Sequence, residues 1–231
     1  MYQKKIGLVG LGKLGTAMLT HWDQQRVSIG VYHPNREKAK EYSSRFQSSY
    51  IISEKEIPKL DILILALPAN EIIPFISDLN LHSMPHCSPY VINMATNLST
   101  KEIMSNFPFL NIYGVKYMGH ARDLLEHGNG LFITELVLPK IVDDLYQTIG
   151  KILIDSESCL KEVNKLATYF ALKTALHFEN EFLARGLPPD YLKRALTSLV
   201  PEVIRSYSEG TLGHFAKEIV KEIQEENRKQ D

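Results

Sequence analysis

The first part of the chain places its apolar residues in short unbroken runs, and the last part spreads them at helical spacing. Ile6 to Val9, Val27 to Tyr32, Ser49 to Ile52, Asp61 to Leu67 and Tyr90 to Met94 are runs of the first kind. Runs this short with little polar alternation predict strands buried on both faces of a parallel sheet. Helical patterns fall between them. Ala17, Met18, Leu19 and Trp22 mark one, and Pro34 to Phe46 a second with Pro34 near its first turn. Glu71 to Leu79 predicts a third, and Ser99-Thr100-Lys101-Glu102 opens a short fourth with Ser99 or Thr100 as its cap. Further strands are predicted at Leu110 to Tyr117, Leu131 to Thr134 and Ile152 to Ile154, with a short helix around Ala121 to Glu126. Alternating strands and helices at this spacing imply a doubly wound α/β domain.

Near Ser156 the pattern changes, and only helical periodicity remains. A long helix is predicted from Leu160 to Arg185, stopped by Gly186 with Pro188-Pro189 beyond it. A second runs from Asp190 to Tyr207 and is expected to bend at Pro201. Gly210 and Gly213 precede a last one, His214 to Asn227, which ends in a charged tail. The expected division is residues 1–156 as a nucleotide-binding domain and 157–231 as an all-helical domain. A helical domain of that size is marginal alone. Its apolar faces are expected to pack on the first domain and on a second copy, which predicts a homodimer through the C-terminal helices.

The first predicted strand and helix are joined by Gly10-Leu11-Gly12-Lys13-Leu14-Gly15. Strand, G-x-G-x-x-G and helix in that order is the phosphate-binding start of a Rossmann-type dinucleotide fold. Gly10 permits the tight turn, Gly12 lets a pyrophosphate approach the backbone, and Gly15 lets the helix pack on the strand. The pyrophosphate would rest on the helix N-terminus. At the end of the second strand, NAD enzymes usually carry an acid for the ribose 2′-hydroxyl. Here Tyr32-His33-Pro34-Asn35-Arg36 carries none, and Glu37 is already in the helix. Arg36 offers a fork suited to a 2′-phosphate, and His33 and Asn35 offer hydrogen bonds. The expected cofactor is NADP(H), with NAD(H) possible. Ala66, Leu67 and Pro68 end the fourth strand, where ligands bind in open α/β sheets. Thr96 and Asn97 follow the fifth strand, as pocket residues or as turn formers.

Composition narrows the partners. The 231 residues carry a net charge of -1, with 44% hydrophobic and 23% charged residues. Nothing there suggests a nucleic-acid surface. No apolar stretch has the length of a membrane span. Cys87 and Cys159 make neither metal spacing nor a disulfide framework and read as incidental thiols in a reducing compartment. A cytoplasmic protein acting on a small molecule is expected, with no metal, nucleic acid or membrane. His21, His82, His86, His127 and His214 carry no site role in this reading.

The chain resembles the pyrroline-5-carboxylate reductase family. The likeness rests on Ile6 to Gly15, on Arg36-Glu37-Lys38-Ala39, on Asp61 to Pro68, and on a long helix followed by Gly186-Leu187. It implies a nucleotide domain, a helical dimerisation domain and NAD(P)H-dependent reduction of a cyclic imine, at a site between domains of an intertwined dimer. The chain departs from the family where the substrate would bind. Lys116-Tyr117-Met118-Gly119-His120-Ala121-Arg122 stands where the family has Arg-x-Met-Pro-Asn-Thr-Pro. Asn164-Lys165-Leu166-Ala167-Thr168 stands where a glycine- and serine-rich loop opens the long helix, and only Thr197 answers a later Gln-Thr pair. Lys165, at the first turn of that helix, is the candidate proton donor or carboxylate anchor. The β-hydroxyacid dehydrogenases use a lysine on the equivalent helix. There an asparagine follows four residues later, where this chain has Tyr169. His120, in a strand-to-helix loop, is the second candidate for proton transfer. Lys116 is a candidate to hold an acidic substrate group. The expected function is an NADP-dependent oxidoreductase of a small imine or carbonyl. The alternatives are a non-catalytic NADP-binding regulatory protein and a β-hydroxyacid dehydrogenase using Lys165.

Overall fold

The computed structural model describes residues 4–79, 81 and 88–229. His82, His86 and Cys87 lie outside the described residues. The described part falls into two compact units, residues 1–165 and 166–231.

The first unit is built on a six-stranded parallel sheet. Its strands are β1 (Ile6–Val9), β2 (Ile29–Tyr32), β3 (Ser49–Ile51), β4 (Ile62–Leu65), β5 (Tyr90–Asn93) and β6 (Asn111–Gly114), in the order β3-β2-β1-β4-β5-β6. That order is the doubly wound Rossmann arrangement, and the direction of winding reverses between β1 and β4. The helices α1 (Lys13–Gln24), α2 (Arg36–Ser43), α3 (Ala69–Asp78) and α4 (Thr100–Asn106) cross between strands. The strands read as unbroken apolar runs because both faces are covered. Ile6, Leu8, Ile62, Ile64 and Ile92 enter a core with Trp22 of α1, and Val9, Leu63, Leu65 and Val91 enter a second core with Ile72 and Ile76 of α3. At roughly 1.5–3 kcal/mol for each buried aliphatic side chain, these two layers dominate the stability of the unit.

The sheet register lines up the carboxyl ends of its strands. Val9 pairs with Tyr32 on one side and Leu65 on the other, Leu65 with Asn93, and Asn93 with Gly114. The loops opening at Gly10, His33, Ala66, Met94 and Val115 therefore leave the sheet along one edge. With strands about 4.8 Å apart, that edge spans roughly 19 Å from β2 to β6.

The predicted strand Leu110 to Tyr117 is two strands. After β6 the chain changes partner at Val115, and β7 (Lys116–Tyr117) joins a separate sheet of order β7-β8-β9 with β8 (Gly130–Thr134) and β9 (Gly150–Ile154). Between them stand α5 (Ala121–His127) and α6 (Lys140–Gln147). The sequence reading placed no helix at α6, although Val142, Leu145 and Tyr146 are buried there. Trp22 donates to the Leu145 carbonyl at 3.3 Å, and its ring meets Tyr146 edge-on at 5.8 Å.

α7 (Glu157–Ala184) begins in the first unit, with Glu157 and Leu160 buried. It ends where Gly186 adopts a φ of 66°. The second unit holds the rest of α7 with α8 (Pro189–Arg194), α9 (Val200–Ser208) and α10 (His214–Arg228). The expected bend at Pro201 takes the form of a π-helical turn, Ala195–Leu199, just ahead of it. Proline brings no N–H to the helix ladder, and the preceding turn widens. Among the described residues of this unit only Ala195 is buried. Among the described residues no helix is long and apolar enough to cross a membrane.

Candidate functional site

The glycine turn sits at the switch point of the sheet, and its three glycines differ physically. Gly10 has a φ of 100°, which L residues avoid, and a Cβ there would collide with the Ala66 carbonyl. A Cβ on Gly15 would collide with the Gly10 carbonyl. A Cβ on Gly12 would meet nothing within 4 Å. Gly12 is the N-cap of α1 and no side chain caps that helix. The first-turn N–H groups of Lys13, Leu14 and Gly15 therefore face outward at the positive end of the helix dipole, a ready anion site.

Above the turn lies a cleft of about 770 Å³. Its walls are Val9 to Gly12, Tyr32 to Pro34, Lys38, Glu41 and Tyr42, together with Ala66 to Pro68, Asn70, Glu71 and the Pro74-Phe75 end of α3 with Asp78. Tyr32 and Phe75 tilt together at 5.9 Å, giving one end of the cleft an aromatic floor suited to a base. Burial and the nearby Glu54 carboxylate push the Tyr32 phenol above its ordinary pKa.

The end of β2 is arranged differently from the sequence reading. Asn35 is the N-cap of α2, and its Oδ1 accepts from Glu37 and Lys38 N–H at 3.0 and 3.1 Å. His33 Nδ1 accepts from Asn35 N–H at 2.9 Å, which leaves its Nε2 to carry the ring proton. Arg36 is exposed and is not part of the cleft wall, whereas Lys38 is. Sequence reasoning passed over Lys38, two residues along the same helix. The Asn35 cap fixes the helix start, and two residues turn about 200° round its axis.

A second cavity, of about 610 Å³, lies on another side of the same turn, lined by Leu11, Gly12, Lys13, Thr16, Tyr42, Arg45 and His120 to Arg122 with Leu125. His120 and Lys13 both line it. His120 caps α5, its Nδ1 accepting from Arg122 N–H at 3.3 Å. Arg45 and Arg122 each pair with a glutamate one turn away, Glu41 and Glu126.

Three candidates take other places. Lys116 was expected to hold a substrate acid, but its side chain is 1% exposed and its Nζ donates inward to the carbonyls of Ala95 and Leu98. Burial lowers this ammonium to about 8, against the opposing pull of Glu157. The reason is topological: the change of partner at Val115 turns β7 into the interior. Lys165 is not at the first turn of the long helix. It is exposed and about two turns into α7, because that helix starts at Glu157. Thr197 lies in the π-helical turn of the second unit, and its hydroxyl donates to the Lys193 carbonyl at 2.8 Å. Thr96 and Asn97 form the turn after β5, half-buried and exposed. Cys159 is an exposed free thiol. Among the described residues no group of His, Cys, Asp or Glu could hold a metal ion.

Residues 5–94 match the family model described as NADP oxidoreductase coenzyme F420-dependent. No curated protein matches the chain as a whole sequence. Solved structures are similar in fold. A pyrroline-5-carboxylate reductase (proC) from Coxiella burnetii matches with a TM-score of 0.70 at 12% identity, covering 99% of this chain and 93% of that one. A reductive aminase from Aspergillus terreus in complex with NADPH and ethyl-5-oxohexanoate matches with a TM-score of 0.57 at 16% identity, covering 90% and 79%. A 3-hydroxyisobutyrate dehydrogenase from Mycobacterium tuberculosis, with L-serine, matches with a TM-score of 0.59 at 13% identity, covering 85% and 70%. At these identities the likeness establishes the Rossmann fold with a helical C-terminal region.

Proposed function

We propose that this chain is an NADP(H)-dependent oxidoreductase of a small imine or carbonyl substrate, working as a homodimer. The observation that carries the reading is Gly12: it caps α1, needs no room inside the protein, and opens onto a cleft whose β2 end bears His33 and Lys38, with Glu41 one turn further along the same helix. The pyrophosphate of the cofactor would rest on the N–H groups of Lys13, Leu14 and Gly15. Its base would lie toward Tyr32 and Phe75, with Ala66, Leu67 and Pro68 along the opposite wall. His33 Nε2 and the Lys38 ammonium would meet the 2′-phosphate, with Arg36 at the rim. The family model over residues 5–94 and the NADPH complex of the reductive aminase support this cofactor. When bound, NADPH supplies the hydride. His120, which lines the same cavity as Gly12 and Lys13, is the better placed proton donor, and Thr96 and Asn97 would face the substrate. The bare apolar helix faces of the second unit support a dimer.

One observation favours a second reading. α7 runs without a break through Asn164 to Thr168, where the resemblance to the pyrroline-5-carboxylate reductases implies a loop that opens the helix. A helix interior offers no free N–H groups for a substrate carboxylate. That suits a non-catalytic NADP-binding protein.

Two measurements separate these readings. NADPH and NADH binding would be titrated against Lys38→Ala and Arg36→Ala. Lys38→Ala is expected to weaken NADPH about tenfold or more and NADH little, as for a lost charge-assisted bond. Equal losses for both cofactors would remove the 2′-phosphate role. NADPH oxidation against a panel of cyclic imines and small ketones would then decide catalysis. Tight NADPH binding with no turnover on the panel would select the non-catalytic reading.

A further inference from the structure

Asn93, Thr100, Lys116 and Glu157 are buried polar residues where the carboxyl end of β5 meets the start of α7. Their hydrogen bonds form one closed set. Lys116 Nζ donates to the Ala95 carbonyl at 2.6 Å and the Leu98 carbonyl at 3.1 Å, and lies 3.6 Å from Glu157 Oε1. Glu157 accepts from the Thr100 hydroxyl at 2.5 Å and from Thr100 N–H at 3.1 Å. Asn93 Nδ2 donates to the Leu98 carbonyl at 3.0 Å and to Thr100 Oγ1 at 3.1 Å, and Asn93 Oδ1 accepts from Ala95 N–H at 3.0 Å. Every one of these bonds ends on the segment 93–100 or on the residue that starts α7.

We propose that Lys116 is a positioning residue: its Nζ donors set the shape of the loop 94–99, and its partner Glu157 seats the first turn of α7 against that loop, so that Thr96 and Asn97 are held at the carboxyl edge of the sheet. The loop leaves β5 two strands from the glycine turn on β1, about 10 Å away. What Thr96 and Asn97 face there rests on the dinucleotide reading; the positioning itself does not.

The energetics favour orientation over stability as the role. A buried ion pair loses most of its attraction to desolvation, and well-packed apolar residues often do as well or better. A lysine and a glutamate at the heart of this junction supply directed bonds instead. The Ala95 and Leu98 carbonyls belong to a loop; Lys116 is a side-chain donor to both, and Asn93 donates to Leu98 as well. Removing it would leave the Glu157 carboxylate buried beside them without its cation.

The charges around Lys116 are few. Glu157 and Lys161 face it from α7, and Glu135 faces it from the end of β8. Glu135 is itself held by Lys101 of α4 at 3.0 Å and by Glu157 N–H at 3.2 Å. Burial brings the closed ammonium to about 8 from an ordinary value of 10.5. When the junction opens, Lys116 meets water and regains ordinary lysine behaviour. Between those two values the open form holds more protons than the closed form. Opening therefore becomes harder as pH rises above about 8, by up to about tenfold per pH unit.

Amide hydrogen exchange on the full chain tests this, at pH 7.5 to 9.5 and corrected for intrinsic rates. The amides read are Ala95 and Thr100, in wild type, Lys116→Met and Lys116→Arg. Wild type is expected to gain protection at both amides with rising pH, and both variants to lose that slope, one being always neutral and the other always charged. At pH 7.5 Lys116→Met is expected to exchange Ala95 and Thr100 at least tenfold faster, with Leu8 and Leu63 of the central strands unchanged. A flat wild-type profile, or wild-type protection in Lys116→Met, overturns the proposal. Should Lys116→Met not fold, the slope lost or kept in Lys116→Arg decides it. NADPH titrated in parallel judges the dinucleotide reading alone, since absent binding would sink that reading and leave the exchange result standing.

Discussion

At Gly12 a methyl group would meet nothing, and at Gly15, three residues on, it would strike a carbonyl. One motif thus divides into a position free for a ligand and two positions required by the fold. Gly15→Ala is expected to destabilise by about 1–3 kcal/mol, the usual cost of overpacking. Gly12→Ala is expected to leave the melting temperature within about a degree or two, since nothing in the fold opposes it, and to weaken NADPH binding about tenfold or more. Thermal unfolding beside an NADPH titration reads both. Unchanged NADPH affinity in Gly12→Ala would mean that no ligand uses the space above that residue. The glycines could be read from spacing alone because their role lies in the local backbone. Lys38 could not, because its facing depends on where the Asn35 cap starts α2.

Among the elements, α5 poses the sharpest question. His120 caps it through Nδ1, a bond that asparagine can also make. His120→Asn is expected to keep the melting temperature and, if the chain is a reductase, to lower turnover about a hundredfold, the low end of general acid catalysis. Full turnover in the asparagine variant would reduce His120 to its cap. α6 and α7 show why some elements escaped the sequence reading. α6 is two turns long, too short to declare itself by propensity, and it stands because Val142, Leu145 and Tyr146 enter the core beside Trp22. α7 was expected to begin at Leu160, which would have put Lys165 near its first turn. It begins at Glu157, whose carboxylate bonds Thr100, a residue 57 positions away in sequence.

For the whole molecule, the two units differ in how they use their apolar residues. The first buries two full layers on its sheet. The second leaves Leu172 at 59%, Leu176 at 62%, Tyr207 at 66% and Phe215 at 77% exposed. Large apolar side chains left this exposed are the kind of surface that a partner covers. We expect sedimentation at micromolar concentration to give twice the chain mass of 26.3 kDa. Leu172→Glu with Leu176→Glu is expected to give a monomer whose first unit still binds NADPH. A monomeric wild type would remove the dimer.

The sequence by itself determined the parallel sheet, its winding helices, the glycine turn, the stop at Gly186 and the strand-free, helical character of the described residues after Ser156. Each of these depends on neighbours along the chain: an unbroken apolar run, a glycine where φ is positive, a proline beyond a helix end. Tertiary structure alone decided the split of β6 from β7, the burial of Lys116, the facing of Lys38 rather than Arg36, and the start of α7. Those depend on which surfaces meet after folding, and a charged residue is driven inward only when distant segments bring its partners. Of the cations that the sequence offered to a ligand, Arg36 lies outside the cleft wall that Lys38 lines, and Lys116 is turned into the interior beside Glu157.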